Sequence, residues 1–509
     1  MPAALLAGAI AAPAQAVSLS FQGRYDGAEE GAAEISAYDP DSAQLYVTNS
    51  ADNTIDVISI LNPMMPELVK QIQLSGGVNS VAFQDDFLAV ALAAETETDN
   101  GTVAFFDPAG DPLTTVTVGA LPDMITFTPD GSQLLVANEG EPSDDYTIDP
   151  EGSVSIIDIG TFDVTTVTFD GVPLVGDVRI FGPNATAAQD FEPEYIAVAP
   201  DGTKAFVALQ ENNALAILDL ESQEFEKVVG LGFKDFSLDE NPIDASNRDD
   251  GINIQNWPVF GMYQPDAIAA YEAADGNTYI VTANEGDSRD YDGFSEEERI
   301  KDVELDPDAF PNADVLQEDE NLGRLKITTT LGDTDGDGDF DELYAYGGRS
   351  FSIFDADGNL VFDSAAEFEL ITAEQVPELF NSQGSADSFD SRSDDKGPEP
   401  EGVTIGVYGE RTLAFIGLER IGGVMIYDIT SPAEAEFLSY SPNLPEDISP
   451  EGVLFISRAD SPTGQDLLVT TNEVSGTTTV YAVVPEPGTV IGLLSVAAAT
   501  GLGLKRKRG

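Results

Sequence analysis

Apolar and polar residues alternate along most of this chain in short runs, and the runs come in threes. In LYVTNSADNTIDVISI (45–60), Val47, Ile55, Val57 and Ile60 are apolar, while NSADN is the Asn- and Asp-containing kind of segment that closes a hairpin. First strands begin near AEISAY, VNSVAF, PDMITF, PEYIAV, PDAIAA, PEGVTI and PEGVLF. Second strands are LYVTNS, LAVALAAE, LLVANE, AFVALQE, YIVTANE, LAFIGLE and LLVTTNE, and third strands are TIDVISI, TVAFFDP, SVSIIDI, ALAILDL, RLKITTT, VMIYDI and TTVYAV. Turn signals such as Pro129-Asp130-Gly131 and Pro200-Asp201-Gly202 separate first strands from second.

Short strands grouped by three or four, at periods of roughly 40 to 70 residues, predict an all-β chain forming one large β-propeller. Each unit needs neighbours to cover both its faces. VSLSFQGRYDG (17–27) has no partner ahead of it, so it is expected to add the outer strand to the last unit and close the ring without an open edge. Seven units are clear. An eighth is expected within 321–370, where LYAYGGRSFSIFDADGNLVFDS lacks the opening Pro-acid pair, so seven or eight blades fit. Residues 231–262, 286–320 and 371–396 are too long and polar for turns and read as insertions over one face.

The two ends lie outside this pattern. Residues 3–12 are small and apolar, and Ala14-Gln15-Ala16 has the form of a signal-peptidase site, so 1–16 reads as a signal peptide without the usual positive start. At the other end Val484-Pro485-Glu486-Pro487 precedes an uncharged stretch (488–504) long enough for a transmembrane helix, and then Lys505-Arg506-Lys507-Arg508. Motif, helix and basic tail together resemble the PEP-CTERM sorting signal. The resemblance implies recognition by an exosortase-type enzyme, a membrane stage before processing, and delivery to the cell surface or extracellular matrix. The domain itself (17–483) resembles the choice-of-anchor I family on its YVTN-type repeat, its NEG loops (138–140 and 284–286) and the stretch LGDTDGDGDFDELYAYGGRSFSIFD. That family includes mesenchyme-specific cell surface glycoproteins, which implies a propeller ectodomain with a variable tether.

Composition narrows the chemistry. With 22 Lys plus Arg against 92 Asp plus Glu, the formal charge is -70, which argues against nucleic acid as a partner and favours cations. There is no Cys and no His, which removes disulfides, thiolate and imidazole metal sites and Ser-His-Asp catalysis. Any metal must be held by oxygen, which points to calcium or magnesium before zinc, and calcium is the expected cofactor on the loop pattern that follows.

Two acidic patterns could hold it. In DTDGDGDFDE, Asp333, Asp335, Asp337, Asp339 and Asp341 alternate, with Gly336 and Gly338 allowing a tight wrap. The form resembles the calcium loops of integrin-type propellers, which implies carboxylates from Asp333, Asp335, Asp337 and Asp341 and a carbonyl from Asp339. Tyr344 stands where an EF-hand would have its Glu.

The second pattern is a ladder. First strands open with Glu34, Asp123, Glu194, Asp266, Glu401 and Glu451, with Asn79 in the second repeat. Second strands end with Glu95, Glu139, Glu211, Glu285, Glu419 and Glu473, with Asn49 in the first. The start of one antiparallel strand lies beside the end of the next, so both sets belong on one face around a central channel. They form either a cation-loaded mouth or a structural ring whose carboxylates accept backbone N–H groups. Asp144, Asp145, Asp287 and Asp290 lie in loops that follow second strands, and Arg289, Arg349 and Arg420 are read as neutralising nearby acids. The expected function is a calcium-stabilised surface or matrix protein that binds polysaccharide or other envelope components. The alternative is a metal-dependent phosphoesterase, an activity that an alkaline-phosphatase label on some relatives would suggest.

Overall fold

The computed structural model describes residues 16–27 and 30–486. Seven sheets share one plan of four antiparallel strands; one of them carries a fifth, parallel strand (Leu174–Val175), and the last takes its outer strand from the start of the chain. The first runs through Ser36–Asp39, Gln44–Asn49, Thr54–Ser59 and Glu67–Gln73. The first strands contact one another in cyclic order from sheet to sheet, and Pro450–Ile456 of the last sheet returns to Ser36–Asp39 of the first. An all-β chain wound in this way has the arrangement of a β-propeller.

The reason lies in the side-chain period. On Gln44–Asn49, Leu45 and Val47 pack with Leu467, Val469 and Val480 of the last sheet, whereas Tyr46 packs with Val81, Leu88 and Val90 of the next. Both faces of a middle strand are covered, so these strands read as nearly unbroken apolar runs. Each fully buried Val, Leu or Ile side chain contributes roughly 1.5–3 kcal/mol. Outer strands such as Glu67–Gln73 are largely exposed and correspondingly polar.

The N-terminal strand pairs where the sequence predicts. Val17–Asp26 pairs antiparallel with Thr477–Pro485, from Val17 opposite Pro485 to Asp26 opposite Thr477. Arg24 fixes the seam by placing its Nε 2.6 Å from the fully buried Asp447 carboxylate. The first two residues of the expected sorting motif, Val484 and Pro485, therefore belong to this strand rather than to a separate tail. Glu486 follows, its N–H donating to the Ala16 carbonyl at 2.8 Å. Pro487, the 488–504 stretch, the basic cluster and residues 1–15 lie outside the described residues. Among the described residues no helix is long and apolar enough to cross a membrane.

The strands within 321–370 do not make a sheet of their own. Ser350–Asp355 and Leu360–Asp363 are the third and fourth strands of the sheet begun by Ile268–Glu272 and Thr278–Asn284, with Tyr279 opposite Asp355. RLKITTT is accordingly not a third strand: Lys326–Thr328 joins a separate five-stranded sheet with Phe233–Asp235, Phe260–Met262, Glu297–Arg299 and Tyr344–Ala345. What separates the two cases is the partner surface. Ile327 packs with Trp257, Phe236, Leu316 and Leu325 of the insertions, which share a hydrophobic core of their own. Ser350–Asp355 is buried on both faces like every other third strand.

Candidate functional site

The first strands enclose a cavity of about 900 Å³ whose wall includes Asp123, Glu139, Glu194, Asp266, Glu401 and Glu451. The Pro-acid pair explains how the acids reach it. Proline has no N–H to give to the ladder, and the register slips just after Pro122, Pro193, Pro400 and Pro450. The acid sits in the resulting bulge, released from the pleat and turned to the channel. Just before the proline, Leu121, Gln264, Glu399 and Ser449 hold positive φ angles of 43°, 44°, 51° and 64°. Left-handed backbone at non-glycine residues costs of order 1–3 kcal/mol each, and it recurs here at the mouth of one channel.

Second-strand ends complete the ring from behind. Glu211, Glu285 and Glu419 are buried, with exposures of 4%, 8% and 4%. Oxygens of Glu285, Glu401 and Glu419 lie within 4.8 Å of one another. Part of this group is compensated: Lys396 Nζ is 2.7 Å from Glu285, Gln210 donates to Glu285 at 3.0 Å, and Arg420 Nη1 is 2.8 Å from Glu419. Elsewhere compensation is missing. Glu194, Glu211 and Glu401 each bury an Oε2 that has no hydrogen-bond partner among the described residues. Among the described residues no backbone N–H of a neighbouring sheet donates to these carboxylates; the one amide that reaches across is the Gln210 side chain on Glu285. Glu34 accepts from the Ser50 hydroxyl at 2.5 Å.

Burial, reinforced by neighbouring like charges, raises these acids. Asp123, Glu211 and Glu285 are pushed up to about 7, and Glu139, Glu194, Asp266, Glu401 and Glu451 well above the usual carboxylate range. Glu34 also rises to about 7, from burial and from Glu473. Glu473 is raised by burial first. Glu95 is not part of the cavity wall. It is exposed, because its repeat runs into a surface turn before Asn100–Phe106.

The 333–341 loop is organised differently. Asp333 accepts from the N–H of Gly336 at 2.7 Å and of Gly338 at 3.1 Å, and Asp341 accepts from Thr334 N–H at 2.8 Å and Oγ1 at 2.6 Å. Gly336 and Gly338 have φ of 79° and 103°, which the wrap requires. Carboxylate oxygens of Asp333, Asp335 and Asp341 come within 4.8 Å of one another, and so do those of Asp306, Asp339 and Asp341. The structure thus adds Asp306 and does not bring Asp337 into either group. Asp339 is raised to about 6 by desolvation and by Asp337, whereas the Thr334 bonds lower Asp341.

The three arginines neutralise acids. Arg289, 1% exposed, lies 2.7 Å from Asp190 and 2.9 Å from Glu192 and stacks on Phe181. Arg349 pairs with Glu369 at 2.6 Å, and Arg420 with Glu419 and Glu399. Asp145 is bound up in its own turn by Ser143 and Thr147, Asp287 stands 3.5 Å from Lys396, and Asp290 begins a short hairpin strand. Lys396, Asp190 and Glu399 were not singled out by sequence. Only the EPE at 399–401 marks any of them, since it sets two acids around the ring's proline.

The Choice-of-anchor I domain model matches residues 34–432. The chain belongs to the choice-of-anchor I family. This choice-of-anchor I domain is 34% identical over 190 residues to Gigasin-3a of Magallana gigas, covering 33% of this chain and 66% of that protein. It is 27% identical over 296 residues to the Mesenchyme-specific cell surface glycoprotein of Strongylocentrotus purpuratus, covering 50% of this chain and 37% of that protein. The chain thus spans about two thirds of one curated relative and little more than a third of the other. Among solved structures it is similar to Kuenenia stuttgartiensis Hydrazine Synthase (TM-score 0.49, 13% identity, 90% of this chain and 97% of that one). It is also similar to the β-propeller domain of Myceliophteria thermophila Cps50 (Swd1) (TM-score 0.46, 9% identity, 92% and 100%).

Proposed function

We propose that this is an exported, calcium-stabilised surface or matrix protein: a seven-bladed propeller head that binds envelope components such as polysaccharide. The observation that carries the reading is the closing seam. Val17 opposite Pro485 brings both ends of the domain out at one edge, which suits a rigid head on a tether. A cell-surface relative in the same family supports the location. Calcium at Asp333, Asp335 and Asp341 would draw the loop's ends together beside the insertion sheet, with Asp306 and Asp339 as a neighbouring oxygen group. The motif that begins in the last strand at Val484, with the segment after it, would be recognised by an exosortase-type enzyme after a membrane-inserted stage.

The test is to produce the full chain in a bacterium with such a sorting enzyme and in the same strain without it. Processed protein at the surface or in the medium, and a longer membrane-bound precursor when the enzyme is absent, is the expected result. An unprocessed cytoplasmic chain in both strains would overturn the reading.

A further inference from the structure

We infer that the turn at 61–65 docks on a lipid bilayer and holds the propeller head against the membrane from which its tail emerges. In LNPMMPELV (61–69), Leu61, Met64 and Met65 are 70%, 68% and 63% exposed, and Leu68 and Val69 are exposed beside them. A lone exposed apolar residue is ordinary, but five within nine positions mark an interaction surface.

The turn is built rather than loose. Met65 N–H donates to the Asn62 carbonyl at 2.9 Å, and Met64 N–H donates to Asn62 Oδ1 at 3.3 Å. Pro63 is buried against the closing strand, where a Cβ on Gly23 would collide with the Pro63 carbonyl and come within 2.8 Å of the Pro66 ring. The missing side chain at Gly23 thus seats the base of the turn, and the two methionines face outward.

Its position supplies the occupant. In the first sheet the acid end is Asn49 opposite Thr54, and the turn follows Ser59 at the other end. In the last sheet the acid end is Asn472 opposite Thr477, and Val17 opposite Pro485 is the other end. Turn and chain ends therefore leave their sheets away from the acid mouth. Beyond Glu486 lies the uncharged stretch 488–504, and the inference rests on the reading that this stretch enters a membrane. A tight turn that leaves three apolar side chains about two-thirds exposed is a projection, not a groove. It fits a planar lipid interface better than it fits a peptide. Within 61–69 only Glu67 is charged, in a chain whose formal charge is -70.

The chain has no Cys, so M64C carries a single environment-sensitive fluorophore. V474C, in the turn after Leu467–Asn472 at the acid end, is the control. The labelled full chain is reconstituted with phosphatidylcholine vesicles, floated, and quenched with nitroxide-bearing lipid, with circular dichroism confirming the fold of each variant. Several-fold stronger quenching at M64C than at V474C is expected. Adding L61S/M65S should bring M64C down to the level of V474C while the chain still floats. A floating chain whose M64C label is quenched no more than V474C overturns the docking and leaves the tether standing. So does a label shielded from water but not reached by the lipid quencher, which would place a second copy or residues 488–504 over the turn. A chain that does not float refutes the tether, and the docking with it. If L61S/M65S does not fold, the comparison of M64C with V474C decides alone.

Discussion

The channel ring and the 333–341 loop are both dense in carboxylates, yet they solve the problem of like charge in opposite ways. In the loop, backbone N–H groups of Gly336 and Gly338 and the Thr334 hydroxyl already hold Asp333 and Asp341, and water screens the rest. In the ring, bulges after proline place Glu194 and Glu401 in the channel wall, and these two and the buried Glu211 each keep an oxygen without a hydrogen-bond partner among the described residues. Acid count alone does not set the energetics. Desolvation does, and the same residue type is cheap on a loop tip and costly in a channel.

The largest effect is expected where the chain supplies a cation of its own to this buried arc. R289A would strand Asp190 and Glu192, both fully buried, and should cost about 3–5 kcal/mol in chemical denaturation. A loss under 1 kcal/mol would mean that burial is less punishing at the ring than the comparison requires.

A smaller effect of opposite sign is expected from E194Q/E211Q. Without metal near pH 8, removing two repelling buried charges should stabilise the chain by on the order of 1–3 kcal/mol, given that Glu211 lies near 7 rather than near 4.5. A variant that is destabilised instead would blur the distinction between ring and loop.

The smallest effect on the metal-free chain belongs to the loop. D341N should leave the melting temperature under chelator nearly unchanged, since the side chain is solvated, and should abolish only the calcium-dependent rise that the loop contributes. A large loss under chelator would show that the Thr334 bonds, not an ion, hold the loop together.

Much of this was legible in the sequence. The short strands grouped in threes predict the all-β repeat, and the unpaired run at 17–27 predicts the strand that joins the last sheet. The Pro-acid pairs mark the ring because one local device, a bulge at the start of the first strand, repeats with the fold. What the sequence did not resolve is which sheet a lone short strand joins. Lys326–Thr328 and Ser350–Asp355 both look like third strands, and only the packing of Ile327 against Trp257 separates them. Long-range counter-charges were equally hidden. Lys396 meets Glu285 across more than a hundred residues, so no spacing rule reveals the pair. Glu95 fits the repeat alignment and still falls outside the ring, because alignment fixes a position in the sequence and not the course of the turn that follows.

The most direct test of the central claim, that the ring's buried acids need a counter-charge from outside the chain, is the melting temperature of the full chain against pH, with chelator and with calcium. Glu34, Asp123, Glu211 and Glu285 have folded values of about 7 against 3.8–4.5 as ordinary Asp and Glu. Raised acids favour the folded state when protonated. Their contribution is therefore complete below about 4 and lost as pH rises through about 7. The account predicts that the chelated protein melts higher near pH 5 than near pH 8, and that calcium raises the curve most at pH 8. A metal-free melting temperature that is flat or rises over that window, with calcium adding the same increment throughout, would contradict it.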